Sequence, residues 1–439
     1  MANTYLQRTP TTRTNNQKFT YSCWFKRSEI GTGQYFVINL ESGNDRGYIS
    51  FDTADKIFIY DKAGGTERFV ATSNFVLRDT SAWYHLVYCV DSTAGSNRVK
   101  IYINGVDKYS DFTVATAMSQ NSTVGFQQGT VSNSFKVGSQ EAGSTTFNGL
   151  MSHINFVDGL QLDASTFGET DANGVWTINT SPTVSEYGNN GFFILKDGNS
   201  VTDQSGEGNN LTVGGGTLTN TEDNPSNVFA CLNGLHRQDD FSLANGNNTF
   251  TNISTGHRMI NTTLAASAGK YYAEVKATTL GGNYPQIGII DIDKYTFNTY
   301  LGASDKGYGY LSNGNKQYNN SATSFGNTYT TGDIIGIAMD LDNNKLYFSK
   351  NGTWQNSGDP TSGSTGTGSA FDIVSGVSYS FGQSSSDGGT DPVYSWNFGN
   401  GYFGTTAVSS AGTNASGIGI FEYDVPTGYT ALSTKGLNL

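Results

Sequence analysis

Chemistry on a sugar or a phosphate ester needs carboxylates, an imidazole or a nucleophile held together, and this chain has few such groups. In 439 residues there are four histidines, His85, His153, His236 and His257. None lies in a G-x-S-x-G setting that would present an activated serine. A retaining glycosidase uses two carboxyl groups about 5–5.5 Å apart, and the nearest approach to such a pair is Glu169-Thr170-Asp171. Ala172-Asn173-Gly174 follows it, so the segment reads as a solvated turn. Gly214-Gly215-Gly216 is not followed by Lys-Ser or Lys-Thr, which argues against a phosphate-cradling loop. Cys23, Cys89 and Cys231 have no metal-type spacing. Cys23 and Cys89 fall in apolar strand patterns and read as buried thiols, with a Cys23 to Cys89 bridge as the alternative. A hard cation needs several oxygen ligands, which loops holding Asp91, Asp158 and Asp163, or Asp291 and Asp293, could supply. For Asp91 a turn-opening role explains the residue without an ion. No cofactor is expected beyond a structural Ca2+ at those aspartates.

The composition says what must position these groups. Charged residues make up 14% of the chain, against about 25% in an average soluble domain. Aromatic residues reach 13%, with 55 Gly and only 7 Pro. Disordered chains have few aromatics and much charge, and helical architectures draw on Ala, Glu, Lys, Leu and Arg. The mixture here suits strands joined by tight turns. Short apolar or alternating runs recur throughout, among them 19–25, 35–40, 56–60, 86–90, 99–103, 271–275, 334–340 and 345–349. No long segment of helical period separates them, so the fold class expected is all-β, two antiparallel, jelly-roll-like β-sandwiches in tandem.

One pattern occurs twice. Leu86 to Asp91, a polar turn and Val99 to Gly105 in the first half match Ile334 to Asp340 and Lys345 to Gly352 in the second. Each is an apolar strand, an Asp that opens a turn, an alternating strand and an Asn-Gly pair, which is a strong hairpin signal. The stretch 199–227 is dense in Gly, Asn, Thr and Ser, placing the domains at 1–224 and 225–439. A second polar tract, 355–369, reads as a surface loop. Trp24, Trp83, Trp176 and Trp396 fall in strand patterns and are expected in the core.

The net charge of −12, with no Lys/Arg cluster, leaves no footprint for nucleic-acid binding. No run of 18 apolar residues could span a membrane. Residues 1–16 lack the apolar stretch of a secretory signal, so synthesis in a cytoplasm is expected.

Phe19 to Lys26, Trp83 to Val87, Ile101 to Gly105 and Phe147 to Leu150 with Ile154 to Gly159 resemble a laminin-G-like sandwich of the concanavalin A-type lectin/glucanase fold, over roughly residues 1–180. The second half is similar to a SPRY domain through Tyr271 to Val275, Gly332 to Asp340, Leu346 to Gly352, Asn397-Phe398-Gly399 and Pro426 to Leu432. With Phe167 to Asp171 and Gly174-Val175-Trp176, the tandem resembles virion proteins of marine tailed phages, which are tail fibres, appendages or capsid-surface proteins. Glucanases of the first fold use Glu-x-Asp-x-x-Glu, and here Gly174 stands where the last carboxylate belongs.

The resemblance implies a non-enzymatic virion protein that attaches to a host surface through a glycan or a surface protein. A second reading is a decoration or tail-assembly protein that binds only other virion proteins, and a third is a polysaccharide depolymerase. A homo-oligomer is expected, with a trimer in view, and without heptads it must arise from sandwich faces or a partner. Sugar recognition would use aromatic faces, and the tyrosines among Gly and Asn in the second half point to Tyr284, Tyr295, Tyr300 and Trp354 as ligand-binding residues. In the first half the region near Tyr48, Tyr60 and Tyr109 is the place to look.

Overall fold

The computed structural model describes residues 4–40, 43–126, 134–140, 145–196, 200–235, 241–253, 256–281, 285–296, 299–386 and 389–439. They form two compact units, 1–220 and 221–439. Among the described residues every regular element is a strand or a short 3-10 turn, so the chain is all-β.

The first unit pairs an eight-stranded sheet with a six-stranded one. The larger runs in the order Phe112–Thr116, Thr66–Ser73, Ile57–Ala63, Arg46–Phe51, Gln34–Leu40, Phe135–Val137, Tyr5–Arg8, Thr212–Gly215. The last of these comes from the Gly-rich tract, which therefore contributes an edge strand. The smaller sheet runs Phe192–Ile194, Gly149–Asp158, Lys18–Arg27, Tyr84–Asp91, Val99–Ile103, Val106–Asp107. Successive strand residues face opposite sides, and that alternation builds the core: Phe19, Tyr21, Cys23 and Phe25 join Leu86, Tyr88 and Val90 with Phe36, Ile49, Ile57, Ile59 and Ala71. Cys23 lies opposite Leu86 and Cys89 opposite Thr20. Cys23 belongs to this core and Cys89 does not, so the two thiols lie on opposite faces and are free.

The second unit has a larger sheet ordered Phe241–Ala244, Thr249–Asn252, Val393–Asn397, Lys270–Thr279, Ile334–Asp340, Lys345–Lys350, Thr353–Trp354. Its partner runs Arg258–Asn261, Tyr379–Ser385, Gln286–Asp291, Gly307–Leu311, Asn315–Tyr318, Ser321–Ser324. Trp396 fills the space between them, stacked on Phe398 at 5.0 Å.

The twice-written pattern becomes the same frame in each unit. Lys18 pairs with Asp91 at 3.0 Å and Lys270 with Asp340 at 3.0 Å, each at the first position of its strand pair. The Asn104 Oδ1 accepts the His85 amide at 2.8 Å, and the Asn351 Oδ1 accepts that of Ile334 at 2.8 Å. The two Asn amides in turn donate to the carbonyls of His85 and Ile334, at 2.9 and 2.8 Å. Both asparagines sit at φ +48° and both following glycines at +78°, the left-handed geometry that Asn-Gly accepts at least cost. A ring lies where a Cβ would stand on each glycine, Trp176 on Gly105 and Tyr423 on Gly352.

The polar tract 355–369 is pinned to the body of its unit. Tyr429 Oη donates to the Pro360 carbonyl at 3.1 Å, Tyr347 Oη and Ser362 Oγ are 3.3 Å apart, and Gln355 Oε1 accepts the Asn327 amide at 2.8 Å. Trp24, Trp83 and Trp396 are buried as expected, while Trp176 is a half-buried wedge in a covering segment.

Candidate functional site

A sandwich has outer as well as inner faces, and three of the four here are closed by the chain itself. Residues 160–187 lie over the six-stranded sheet of the first unit, where Ala164, Phe167 and Tyr187 pack with Val87, Val157 and Phe193. Thr20 Oγ1 donates to the Leu160 carbonyl and accepts the Leu162 amide, both at 2.8 Å. The Trp176 ring lies edge to edge with that of His85, near-parallel with centroids 5.9 Å apart, and Trp24 stacks on His85 at 4.8 Å. The Trp176 Nε1 can only donate, so at 3.1 Å it fixes the His85 Nδ1 as the bare nitrogen. Nε2 therefore carries the proton and donates to Ser22 Oγ at 2.8 Å. In this tautomer His85 cannot take a proton from Ser22, and burial lowers its pKa to about 3. The Ser–His pair is a fastening for the cover.

In the second unit Phe421, Val425 and Tyr429 close the larger sheet against Phe229, Tyr272 and Tyr347. Glu274, fully buried, accepts the amides of Glu422 and Tyr423 at 2.8 and 2.9 Å and the Tyr272 hydroxyl at 3.1 Å. The smaller sheet carries Met259, Ile290 and Leu301 packed together with Tyr295.

No such cluster forms among the described residues on the outer face of the eight-stranded sheet. An aromatic group stands there instead. Ile57 and Ile59 turn inward, so Phe58 and Tyr60 turn outward. Register then puts Lys136, Ile38, Tyr48, Tyr60, Val70 and Thr116 in one row across the strands. The Tyr48 and Tyr60 rings are 5.2 Å apart and within 20° of parallel, which makes an offset stack. Tyr35 lies 5.2 Å from Tyr48 on its other side, and Phe58 5.9 Å away. The Arg46 guanidinium stands 5.3 Å from the Tyr60 ring centroid. Burial, then the neighbouring Tyr35, raise the Tyr48 phenol to about 12, so it stays neutral as a hydrogen-bonding group. Tyr35, Tyr48 and Phe58 remain partly exposed.

Residues 1–163 match the profile of the concanavalin A-like lectin/glucanases superfamily, and residues 270–381 that of the SPRY domain. The chain joins a concanavalin A-like domain to a SPRY domain. The Ran-binding proteins 9/10 homolog of Drosophila melanogaster is 33% identical over 92 residues, which is 20% of this chain and 10% of that protein. Ran-binding protein 9 of Homo sapiens is 35% identical over 92 residues, 20% of this chain and 12% of that one. The chain thus spans only a small part of the curated relatives it matches. Among solved structures, the SPRY domain of human HERC1 is 18% identical with a TM-score of 0.31, covering 38% of this chain and 96% of that one. The TRIM65 PSpry domain is 12% identical with a TM-score of 0.28, covering 38% and 91%.

Among the described residues, the SPRY domain places Tyr295 and Tyr300 beside its smaller sheet and Trp354 on its larger one. Tyr284 lies outside the described residues. The Tyr295 hydroxyl donates to the Met259 carbonyl at 2.7 Å, and its ring belongs to the packed cluster on the smaller sheet. Tyr300 is partly exposed, bonded to Asn320 Oδ1 at 2.9 Å with its ring 4.9 Å from that of His257. Trp354 packs on the other sheet, edge-on to Tyr272 at 6.4 Å. Side chains that look free in a turn-rich stretch have folded back onto apolar surface.

The three aspartates of the concanavalin A-like domain are likewise apart and already engaged. Asp91 accepts the Thr93 amide at 2.9 Å and pairs with Lys18. Although burial raises its pKa, those bonds hold it below the usual carboxylate range. Asp158 is buried and accepts the amides of Thr14, Asn15 and Asn190 at 2.8, 3.4 and 3.1 Å. Asp163 bonds the Lys100 ammonium at 2.7 Å and the Tyr102 hydroxyl at 2.9 Å. Asp291 accepts the Asp293 amide at 3.0 Å, with Lys294 3.6 Å away. Among the described residues no three His, Cys, Asp or Glu side chains converge as metal ligands. A Ca2+ ion does not fit these sets, because N–H donors and ammonium groups occupy the oxygens it would need.

Tyr48 and Tyr60 do stand together, whereas Tyr109 packs near Phe69, 6.4 Å away, beside the core. Sequence reasoning missed Tyr35, Phe58 and Arg46. The signal was present in Ile57-Phe58-Ile59-Tyr60, where the outward positions of an alternating strand are aromatic.

Proposed function

We propose that this chain is a non-enzymatic attachment protein of a phage virion, as its tandem architecture suggests, and that the outer face of its eight-stranded sheet holds a glycan. The observation that carries the reading is the aromatic group at Tyr35, Tyr48, Phe58 and Tyr60 on the one face without a covering cluster among the described residues. The C–H faces of sugar rings lie against such rings, while phenolic and guanidinium groups meet their hydroxyls. The SPRY domain supports a protein partner in parallel, another virion protein or a host protein. Its relatives are named as Ran-binding proteins, and exposed Val374, with its amide on Tyr308 Oη at 3.3 Å, offers apolar surface at a loop end.

The test is binding of the purified chain to a glycan array and to host cells. Tyr48→Ala and Tyr35→Ala are expected to weaken binding by about tenfold or more, as truncating an aromatic anchor does, with the folded state kept as circular dichroism reads it. Glycan binding that neither substitution alters would overturn the reading. Release of reducing sugar from a host polysaccharide would replace it with a depolymerase. Light scattering of the same protein reads the expected homo-oligomer.

A further inference from the structure

We infer that the saccharide held on this face is acidic, with its carboxylate or sulfate bound by Arg46; the inference rests on the glycan reading above and names the class of ligand. The row of Leu40, Arg46, Lys62 and Glu67 lies beside the row of Ile38, Tyr48, Tyr60 and Val70. Two residues along a strand separate them, about 7 Å. A sugar ring on the tyrosines therefore carries its exocyclic group over the cations.

The cations themselves point to an anion. Several basic side chains meet carboxylates, Lys18 with Asp91, Arg27 and Arg78 with Asp55, Lys100 with Asp163 and Lys270 with Asp340, while Arg8, Arg98 and Lys316 donate to backbone carbonyls. Among the described residues Arg46 meets none, and its Nε is enclosed without an acceptor. Its guanidinium rests on Tyr60, which leaves the fork of N–H donors for a planar oxyanion. Lys62 Nζ donates to the Gly43 carbonyl at 3.0 Å and has further donors. Lys136 stands at the other end of the tyrosine row. Glu67 is the acidic residue of these rows, and its Oε2 lies 3.5 Å from Thr116 Oγ1. The whole chain carries −12, so its general field repels an anionic ligand. An acid preference must then come from a local cluster such as this one.

The experiment titrates the full chain with matched pairs: hexagalacturonate against its methyl ester, and a sulfated heparin hexasaccharide against its desulfated form. At least one acidic probe is expected to bind roughly tenfold to a hundredfold more tightly than its neutral partner at low salt. The advantage shrinks as salt rises. Arg46→Gln, and more weakly Lys136→Gln, should erase it while affinity for the neutral partner and the melting temperature hold. Neutral probes binding as well as acidic ones, or an acid preference that survives both substitutions, overturns the inference and leaves the glycan face standing. Binding by no probe, or binding indifferent to Tyr48→Ala, overturns both.

Discussion

Asp55→Ala is expected to destabilise the concanavalin A-like domain by about 3–5 kcal/mol, the cost of breaking a buried ion pair from one side. Asp55 Oδ1 accepts from Arg27 Nη2 at 2.8 Å and from the Gly31 amide at 2.7 Å, and Oδ2 accepts from Arg78 Nε at 2.8 Å. Arg27 is wholly buried, its guanidinium 3.9 Å from the Phe51 ring centroid and bonded to the Leu77 carbonyl at 2.7 Å. Removing the carboxylate leaves that guanidinium enclosed and unneutralised. Alanine also tolerates the +64° φ of position 55 less well than Asp does. Denaturant unfolding should show a large fall in midpoint, and Arg27→Met with Asp55→Asn should recover part of it. A midpoint that stays put would refute this account. The sign with pH follows from the carboxyl: burial raises its pKa, but the Gly31 amide and then the Arg78 and Arg27 guanidiniums bring the net value below the ordinary range. Its stabilising contribution is therefore full above the unfolded carboxylate pKa and fades as pH falls through the lower folded value.

In the SPRY domain, Glu274→Ala should cost about 2–4 kcal/mol, because buried donors lose their acceptor. The amides of Glu422 and Tyr423 and the Tyr272 hydroxyl all point at this carboxyl, with Asn397 Nδ2 at 3.3 Å. Residues 418–431 would then close the outer face with its central fastening gone. Hydrogen exchange at the Glu422 and Tyr423 amides should accelerate in the variant, and unchanged protection there would contradict the assigned role. The pH sign is opposite to that of Asp55. Burial, opposed by the two amides, raises Glu274 to about 7, above the roughly 4.3 of an unfolded chain. Between those values the folded domain holds the extra proton, so this group's contribution falls as pH rises. Glu274→Gln should flatten that slope.

Strands were legible where inward and outward positions differ in polarity. Val99, Ile101 and Ile103 alternate with Lys100 and Tyr102, and the Asn-Gly pairs announced both hairpins. The covers were not legible. Residues 160–187 and 418–431 show no period in sequence, and scattered contacts hold them, at Thr20 and His85 in one domain and at Glu274 in the other. The candidate face was half legible. Ile57-Phe58-Ile59-Tyr60 is apolar on both sides, so it reads like a strand buried twice, and only register brings Tyr48, Tyr60 and Arg46 to one surface. Tyr295 and Trp354 show the converse, since the packing of an aromatic in a polar stretch is not read from its sequence neighbours.

Asn104 and Asn351 close their hairpins on backbone atoms alone, and the residues they close upon, His85 and Ile334, share no chemistry. The closure is therefore indifferent to what those positions carry. One copy has placed there an imidazole that fastens Trp176, while the other has an aliphatic side chain and fastens its cover from Glu274. A frame that recognises only main-chain atoms uncouples folding from specificity. Residues on the faces can therefore be exchanged at constant strand register.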